Sequence, residues 1–412
     1  MLFLQGLPSP FFTRLARQLA QQGWRVTGIN LCVGDQMFWK GGHTVNYRGR
    51  LRDWPAYIGD FYDRHAVTDI LLVGEKRSYH QHAILAAQQR NIRVTVTDFG
   101  YLRPDWMAFE RDGMGGDSHF PKQPDDIHAL AAQAPQPDLS QRYTDGFWPM
   151  ALGDMAYHFG NYFLFFLFPF YRRPYKRDHP LLHYLAIGKR LLGAKRRHRE
   201  ATGRIGASHR QHTRYFLFPL QLENDFQIVA YSSYECMEAA IIQVIRSFAL
   251  HAEPDMQLWV KVHPLDPGMK NWRKRIARHA ANCGIAHRVD YFDGGDLDDM
   301  IAGSAGVVTI NSTVGIRALQ LNCPVMALGL AIYRVQGLTY QGELDGYWTS
   351  AQRPDPVLAA NFIAALCHTL QIRGVFYAEP GLSAAVEEAA RRLSAGTVGC
   401  GAADNKRTDR PD

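Results

Sequence analysis

One pattern, met twice along the chain, constrains its fold more than anything else. Short apolar, β-branched runs that end in glycine or a polar turn alternate with stretches of helical period. In the first series Phe3-Leu4 runs into Gly6 and the Pro8/Pro10 turn, and Phe11 to Gln22 carries Phe12, Leu15, Ala16 and Leu19 at helical spacing before Gly23. Arg25–Asn30, Asp69–Val73 and Arg93–Gly100 read as strands, with a helix over Gln81–Arg90. The second series opens at Tyr215 with YFLFPL, then the polar QLEND and a strand QIVAY. An amphipathic helix over Glu235–Leu250, the strand LWVKVHP, a helix over Asn271–Cys283, the strand GVVTINST, a helix over Val314–Leu321 and the strand PVMALG follow. Strands separated by helices imply parallel sheets covered on both faces, hence two doubly wound α/β domains whose ligands bind beyond the carboxyl ends of the strands. Pro354–Leu393 reads as helical and Ala-rich, and the polar tail from residue 397 as disordered.

A length of 412 residues fits two domains, and 46% hydrophobic with 21% charged residues is a globular composition. The six cysteines are scattered without a CxxC pair, which argues against a disulfide framework or a zinc site and fits a reducing cytosol. MLFLQGLPSPFF has no basic n-region and is not the pattern of a signal peptide. The net charge of +7 is local: between Arg172 and Arg199 ten Lys/Arg face one acid, Asp178, so this stretch carries +9 and the remainder −2. Just before it, Tyr162–Tyr171 (YFLFFLFPFY) is ten residues of aromatic and aliphatic side chains broken by Pro169, too short to span a bilayer, which takes about 20 residues. A core element followed by a solvated linker accounts for the segment. So does an interfacial anchor, with aromatics at the acyl boundary and Arg172, Arg173, Lys176 and Arg177 over anionic headgroups. No RNP, KH or helix-turn-helix signature accompanies it, so nucleic acid is not an expected partner.

Four clusters fall at strand ends: Asp98 to Pro104, Gln221 to Asp225, Lys261 to Pro264, and Asn311 to Gly315. Asn311-Ser312-Thr313 directly before a helix offers hydroxyls and backbone N–H groups to an anion, although plain N-capping would use the same residues. Lys261 and His263 alternate on one strand face, so both are expected to point at one ligand, and with the Asn-Ser-Thr turn they suggest a phosphate site. Asp225, in a turn with Gln221, Glu223 and Asn224, is either turn chemistry or a nucleophile or base. The D-x-D at Asp296–Asp298 reads as a helix cap rather than a metal site, and no metal or other cofactor is expected.

FLQGLPSPFFTRLA (3–16), NYRG (46–49), GYLRP (100–104), FPLQLEND (218–225), KVHP (261–264), INSTVG (310–315) and GLTYQGELDGYW (337–348) run in collinear order. They resemble the capsule polysaccharide biosynthesis family of KpsS/LipB type. The resemblance implies a GT-B-like fold, two Rossmann-like domains facing a cleft with C-terminal helices. The expected domains are 1–208 for the acceptor, including the basic aromatic segment at 162–199, 209–350 for the nucleotide sugar, helices over 351–396 and a tail over 397–412. It implies a retaining glycosyltransferase that moves β-Kdo from CMP-Kdo to a (lyso)phosphatidylglycerol-type lipid, at the cytoplasmic side of the inner membrane as a peripheral protein, alongside other capsule assembly proteins. Carried onto this sequence, Asp225 is the expected nucleophile with Glu223 as the alternative. Lys261, His263, Pro264, Asn311, Ser312 and Thr313 would hold the nucleotide. Gln5, Glu75, Arg77, Tyr79, Asp98, Tyr101, Arg103, Gln221 and Asn224 would line the acceptor side or the cleft. Two departures stand out: Phe99 replaces the second acid usual before GYLRP, and Gly74-Glu-Lys-Arg-Ser-Tyr79 stands where the family has Gly-Asp-x-Arg-Pro-Tyr. Another CMP- or UDP-sugar transferase, or a non-catalytic export or scaffold protein, are the competing readings.

Overall fold

The computed structural model describes residues 1–173, 179–223 and 225–399. Its strands are β1 (Leu2–Leu4), β2 (Thr27–Asn30), β3 (His43–Asn46), β4 (Asp69–Val73), β5 (Arg93–Phe99), β6 (Trp106–Arg111), β7 (Tyr215–Pro219), β8 (Gln257–Lys261), β9 (Val289–Phe292), β10 (Gly306–Thr309), β11 (Val325–Ala327) and β12 (Gln371–Arg373). They form two sheets, and the chain divides into two units, the first within Met1–His119, Ala129–Pro174 and Ile363–Asp412, the second within Phe120–His128 and Tyr175–Phe362.

The first unit's sheet has the order β12-β6-β5-β4-β1-β2-β3. β1 to β5 are parallel, while β6 and β12 are antiparallel additions at one edge. β4 shows why a continuous apolar run suits the middle of such a sheet: Leu71 and Val73 enter the core on one face, Ile70 and Leu72 the core on the other. The helix Phe11–Gln21 buries Phe12, Leu15, Ala16 and Leu19 and stops before Gly23, whose φ of 90° is left-handed. The C-terminal stretch is not helical throughout. Between the helices Pro356–Thr369 and Gly381–Ala395 the chain forms β12, which closes the sheet on β6. Arg392 secures that return, donating from Nη1 to Thr369 O (2.9 Å) and from Nη2 to Gln371 O (2.8 Å). Of the expected tail, residues 397–399 belong to this unit, with Val398 buried and its carbonyl accepting from Arg111 Nε; the rest of that expectation lies outside the described residues.

The second unit's sheet is wholly parallel, in the order β11-β10-β7-β8-β9. Tyr215 on β7 and Trp259 on β8 stack 3.5 Å apart, and the helix Met237–His251 lays Ile241, Val244, Ile245 and Phe248 on the opposite face. QIVAY is helix, not strand: Asp225 caps Phe226–Tyr231 by accepting from Gln227 N (3.0 Å), and the helix buries Ile228 and Tyr231 one turn apart. The basic stretch is also more structured than a linker. Pro180–Arg210 is one long helix, held by Arg190 (2.7 Å) and Arg197 (3.1 Å) on Asp293.

The units therefore divide elsewhere than expected, since the helix Pro180–Arg210 belongs with the second sheet and β12 with the final helix returns to the first. Each sheet nevertheless has the Rossmann-like order, with its first strand central and flanked by its second and fourth, so the chain carries the two α/β units of a GT-B-like fold with C-terminal helices. Ligand crevices in such sheets open where the strand order reverses, between β1 and β4 and between β7 and β10. Arg392→Met would bury the Thr369 and Gln371 carbonyls without donors, and it is expected to lower unfolding stability by about 2–4 kcal/mol in urea titrations.

Candidate functional site

Each crevice position holds a buried glutamine. In the second unit Gln221 stands two residues beyond β7 and exchanges hydrogen bonds with the chain beyond β10. Its Nε2 donates to Asn311 Oδ1 (2.9 Å) and Asn311 N donates back to its Oε1 (3.3 Å). Asn311 Nδ2 donates to Gln227 O (2.8 Å), and Gln221 Nε2 lies 3.4 Å from Asp225 Oδ2. Gln221, Asp225 and Asn311 thus form one polar cluster at the switch point. Ser312 and Thr313 continue from it, half-buried: Ser312 Oγ accepts from Val314 N (3.3 Å), its carbonyl accepts from Tyr333 Oη (2.7 Å), and Thr313 makes no side-chain cap. Glu223 is paired with Lys270 instead, and Asn224 lies outside the described residues.

Lys261 is a correction. Its side chain is buried and its Nζ donates to Gly294 O (2.6 Å) and Gly295 O (3.3 Å); burial pushes its pKa down, with Asp293 and Asp296 opposing. It fastens the turn after β9 beneath the helix Pro180–Arg210. A Cβ on Gly294, whose φ is +131°, would come 2.8 Å from His198 Cα. β8 ends at Lys261, so His263 and the exposed Pro264 lie on the loop beyond and share no strand face with it. His263 Nδ1 accepts from Leu265 N (3.1 Å), which assigns the ring hydrogen to Nε2. In the D-x-D, Asp296 accepts from Asp299 N (3.0 Å) as the cap of Leu297–Ala302, and Asp298 pairs with Arg317 (2.6 Å). Among the described residues no group of three or more His, Cys, Asp or Glu could hold a metal ion.

In the first unit Gln5 follows β1 directly. Its Nε2 lies 3.1 Å from Tyr171 Oη, 3.2 Å from Tyr157 Oη and 3.4 Å from Asp35 Oδ2. Asp35 also accepts from Leu31 N (2.9 Å) and Tyr157 Oη (2.8 Å), and Cys32 Sγ is 3.1 Å from the Tyr157 hydroxyl. Burial raises the carboxyls of both Asp35 and Asp98, and the charge of Arg77 acts against it at each. Gln5, Arg77 and Asp98 are thus gathered at the ends of β1, β4 and β5, while Arg103 is exposed with its guanidinium 5.0 Å from the Phe99 ring. Glu75 is buried just beyond β4. Tyr79 and Tyr101 serve the framework. Tyr79 is buried and accepts from Arg172 N (3.3 Å), and Tyr101 Oη donates to Glu110 (2.6 Å). Arg172 and Arg173 are exposed; Lys176 and Arg177 lie outside the described residues. The sequence reading missed Asp35, Tyr157 and the hydroxyl of Tyr171. A polar residue soon after the second strand was the available signal, but the helix Val33–Phe38 is too short to show a period.

Two Rossmann-like units with polar clusters at their switch points define the class of protein. Residues 68–377 match the family described as capsule polysaccharide biosynthesis protein, and the chain belongs to that family. It is 29% identical over 383 residues to the capsule polysaccharide export protein KpsS of Escherichia coli, covering 91% of this chain and 96% of that one. It is likewise 29% identical over 396 residues to the capsule polysaccharide modification protein LipB of Neisseria meningitidis serogroup B, covering 92% of each. A solved structure of Thermosulfurimonas dismutans KpsC, a β-Kdo 2,7 transferase, aligns with TM-score 0.46 and 14% identity over 96% of this chain and 98% of that one.

A carboxyl raised in the folded state holds its proton more tightly there than in the unfolded chain, so Asp35 costs stability as pH climbs from the ordinary carboxylate range toward neutrality. Asp35→Asn cannot ionise. Its stability relative to wild type is expected to rise between about pH 4 and 7, read from urea midpoints, and a flat difference would contradict the raised pKa.

Proposed function

We propose that this protein is a retaining glycosyltransferase that moves β-Kdo from CMP-Kdo to a (lyso)phosphatidylglycerol-type lipid, beginning the linker of a capsular polysaccharide. The observation that carries the proposal is the second unit's switch-point cluster, where Asp225 stands with Gln221 and Asn311 beside the Ser312-Thr313 turn. Family membership supplies the setting. In this reading Ser312 and Thr313 hold the cytidine phosphate through hydroxyl and backbone N–H groups, Asn311 sets their turn through its bonds to Gln221 and Gln227, and His263 donates from Nε2. Lys261 takes no part, because its ammonium is spent on backbone carbonyls.

Retention follows from two inversions. The Asp225 carboxylate attacks the anomeric carbon as the bond to the CMP oxygen breaks. An acceptor hydroxyl then displaces the carboxylate and gives its proton to a base. Glu223 is the weaker choice of nucleophile because Lys270 already pairs with it. The first unit's Gln5, Arg77, Asp98 and Arg103 are assigned to the acceptor, a cation-bearing site suited to a lipid phosphodiester. The protein works peripherally at the inner membrane; no helix among the described residues is long and apolar enough to cross one.

Purified protein incubated with CMP-Kdo and short-chain phosphatidylglycerol is expected to give a Kdo-lipid by mass spectrometry. Transfer of another sugar from its CMP or UDP donor would shift the donor assignment, and absence of any transfer favours an export or scaffold role. Asp225→Asn keeps a good N-cap, so it is expected to fold, bind CMP normally and lose turnover at least a thousandfold, about 4 kcal/mol in the barrier. A sugar adduct trapped on another carboxylate would displace Asp225. His263→Ala is expected to weaken CMP binding at least tenfold by calorimetry, about 1.4 kcal/mol. Activity is expected to survive EDTA; loss that Mg²⁺ restores would overturn the metal-independent reading.

A further inference from the structure

We propose that Phe163, Leu164, Phe165 and Phe166 form a rigid tip that inserts into an anionic lipid surface, and that Gln5 ties this tip to the strand end assigned to the acceptor. Phe163 is 60% exposed, Phe165 66% and Phe166 59%, with Leu164 among them at 40%. Single exposed apolar residues need no explanation, but four consecutive ones form a patch that calls for a partner. The helix Phe147–Phe163 leads to the tip and exposes Trp148 and Leu152, one turn apart, on its way.

The tip is held at both ends. Before it, Asn161 Oδ1 accepts from Gly34 N (2.9 Å) and Tyr157 reaches Gln5. The helix lies so close to Val33–Phe38 that a Cβ on Gly160 would come 2.7 Å from Met37 Sδ. After it, Phe168 turns back into the protein at 4% exposure and Tyr171 reaches the same Gln5 amide. The exposed aromatics are therefore a fixed projection, which limits the ordering entropy that insertion must overcome.

Charge complementarity selects the occupant. No charged residue lies in 159–170. At the base of the tip the exposed Arg48 and Arg50 set their guanidiniums 5.8 Å and 5.1 Å from the Phe168 and Phe170 rings, and the exposed Arg172 and Arg173 follow directly. Aromatics beyond a collar of arginines match the acyl boundary beneath a layer of phosphates. Lipid seating stands on these observations alone, whereas the link to Gln5 rests on the lipid-acceptor reading above.

The test is sedimentation with phosphatidylcholine vesicles containing or lacking phosphatidylglycerol, which needs no turnover. Wild type is expected to favour the anionic vesicles. Phe163→Ser/Phe165→Ser/Phe166→Ser is expected to lower partition at least tenfold, and Arg172→Gln/Arg173→Gln to remove most of the preference for phosphatidylglycerol. Phe166→Trp, which keeps the tip apolar if the triple variant misfolds, is expected to shift its emission to the blue on vesicles and to be quenched by brominated lipid. Unchanged partition of the folded triple variant, or no quenching, overturns the seating. So does a lipid-free dimer that the triple variant abolishes while vesicle binding stays absent, because the tip then meets a second copy. The triple variant is also expected to lose transfer to acceptor embedded in vesicles while keeping it on dispersed short-chain acceptor within about twofold of wild type. Equal loss on both overturns the link to Gln5. If wild type transfers to neither, the enzymatic reading and with it that link fall, while partition still decides the seating.

Discussion

A buried amide N–H must find an acceptor, and this protein places a glutamine at the end of the central strand in each unit. Gln5 follows β1 and Gln221 follows β7, both nearly inaccessible to solvent. Each reaches a carboxylate near the start of a short helix, Asp35 in one case and Asp225 in the other. The cost of leaving a buried amide N–H unsatisfied, about 1–3 kcal/mol, holds the acceptors of Gln5 Nε2 and Gln221 Nε2 in place and so shapes the polar geometry where strand order reverses, while Gln5 Oε1 is buried without a partner among the described residues. In the first unit that constraint extends to Tyr157 and Tyr171, and through them to the aromatic tip. In the second it extends to Asn311 and the start of the Ser-Thr turn.

The same bookkeeping explains why net charge misleads as a guide to partners. The stretch from Arg172 to Arg199 looks like one basic surface in the sequence. In the folded protein Arg190 and Arg197 turn to Asp293, and Arg196 pairs with Glu200. The cations that flank the exposed aromatics come partly from far upstream, Arg48 and Arg50, which no local count of charge would join to them.

What was legible in the sequence had a local cause. β4 was readable because a strand buried on both faces is apolar throughout, the first helix because Gly23 ends it, and the D-x-D because capping is a contact within four residues. The misreadings arose where a nearby polar group or a distant contact decides. QIVAY has strand composition, yet it is helical, capped by Asp225 and burying Ile228 and Tyr231 one turn apart. β12 interrupts an Ala-rich helical stretch because it pairs with the edge of β6, a contact more than 250 positions away in the chain. Asp35 belongs to the candidate site through Gln5, thirty positions away in the chain.

Sorting chemistry from architecture then becomes a question of what each polar group is already bonded to. Lys261 has the right type and sits at a strand end, yet two backbone carbonyls take its ammonium in a buried turn, and to bind a phosphate it would have to abandon them. Glu223 and Asp298 are engaged by Lys270 and Arg317 and cannot change partner without breaking an ion pair. The Gln221–Asp225–Asn311 cluster differs in kind. Its members bond to one another and to backbone at a position where Rossmann-like sheets open to ligands, and Thr313 beside it spends nothing on its own helix. In the first unit burial drives the carboxyls of Asp35 and Asp98 toward their neutral forms, and the charge of Arg77 only partly offsets it.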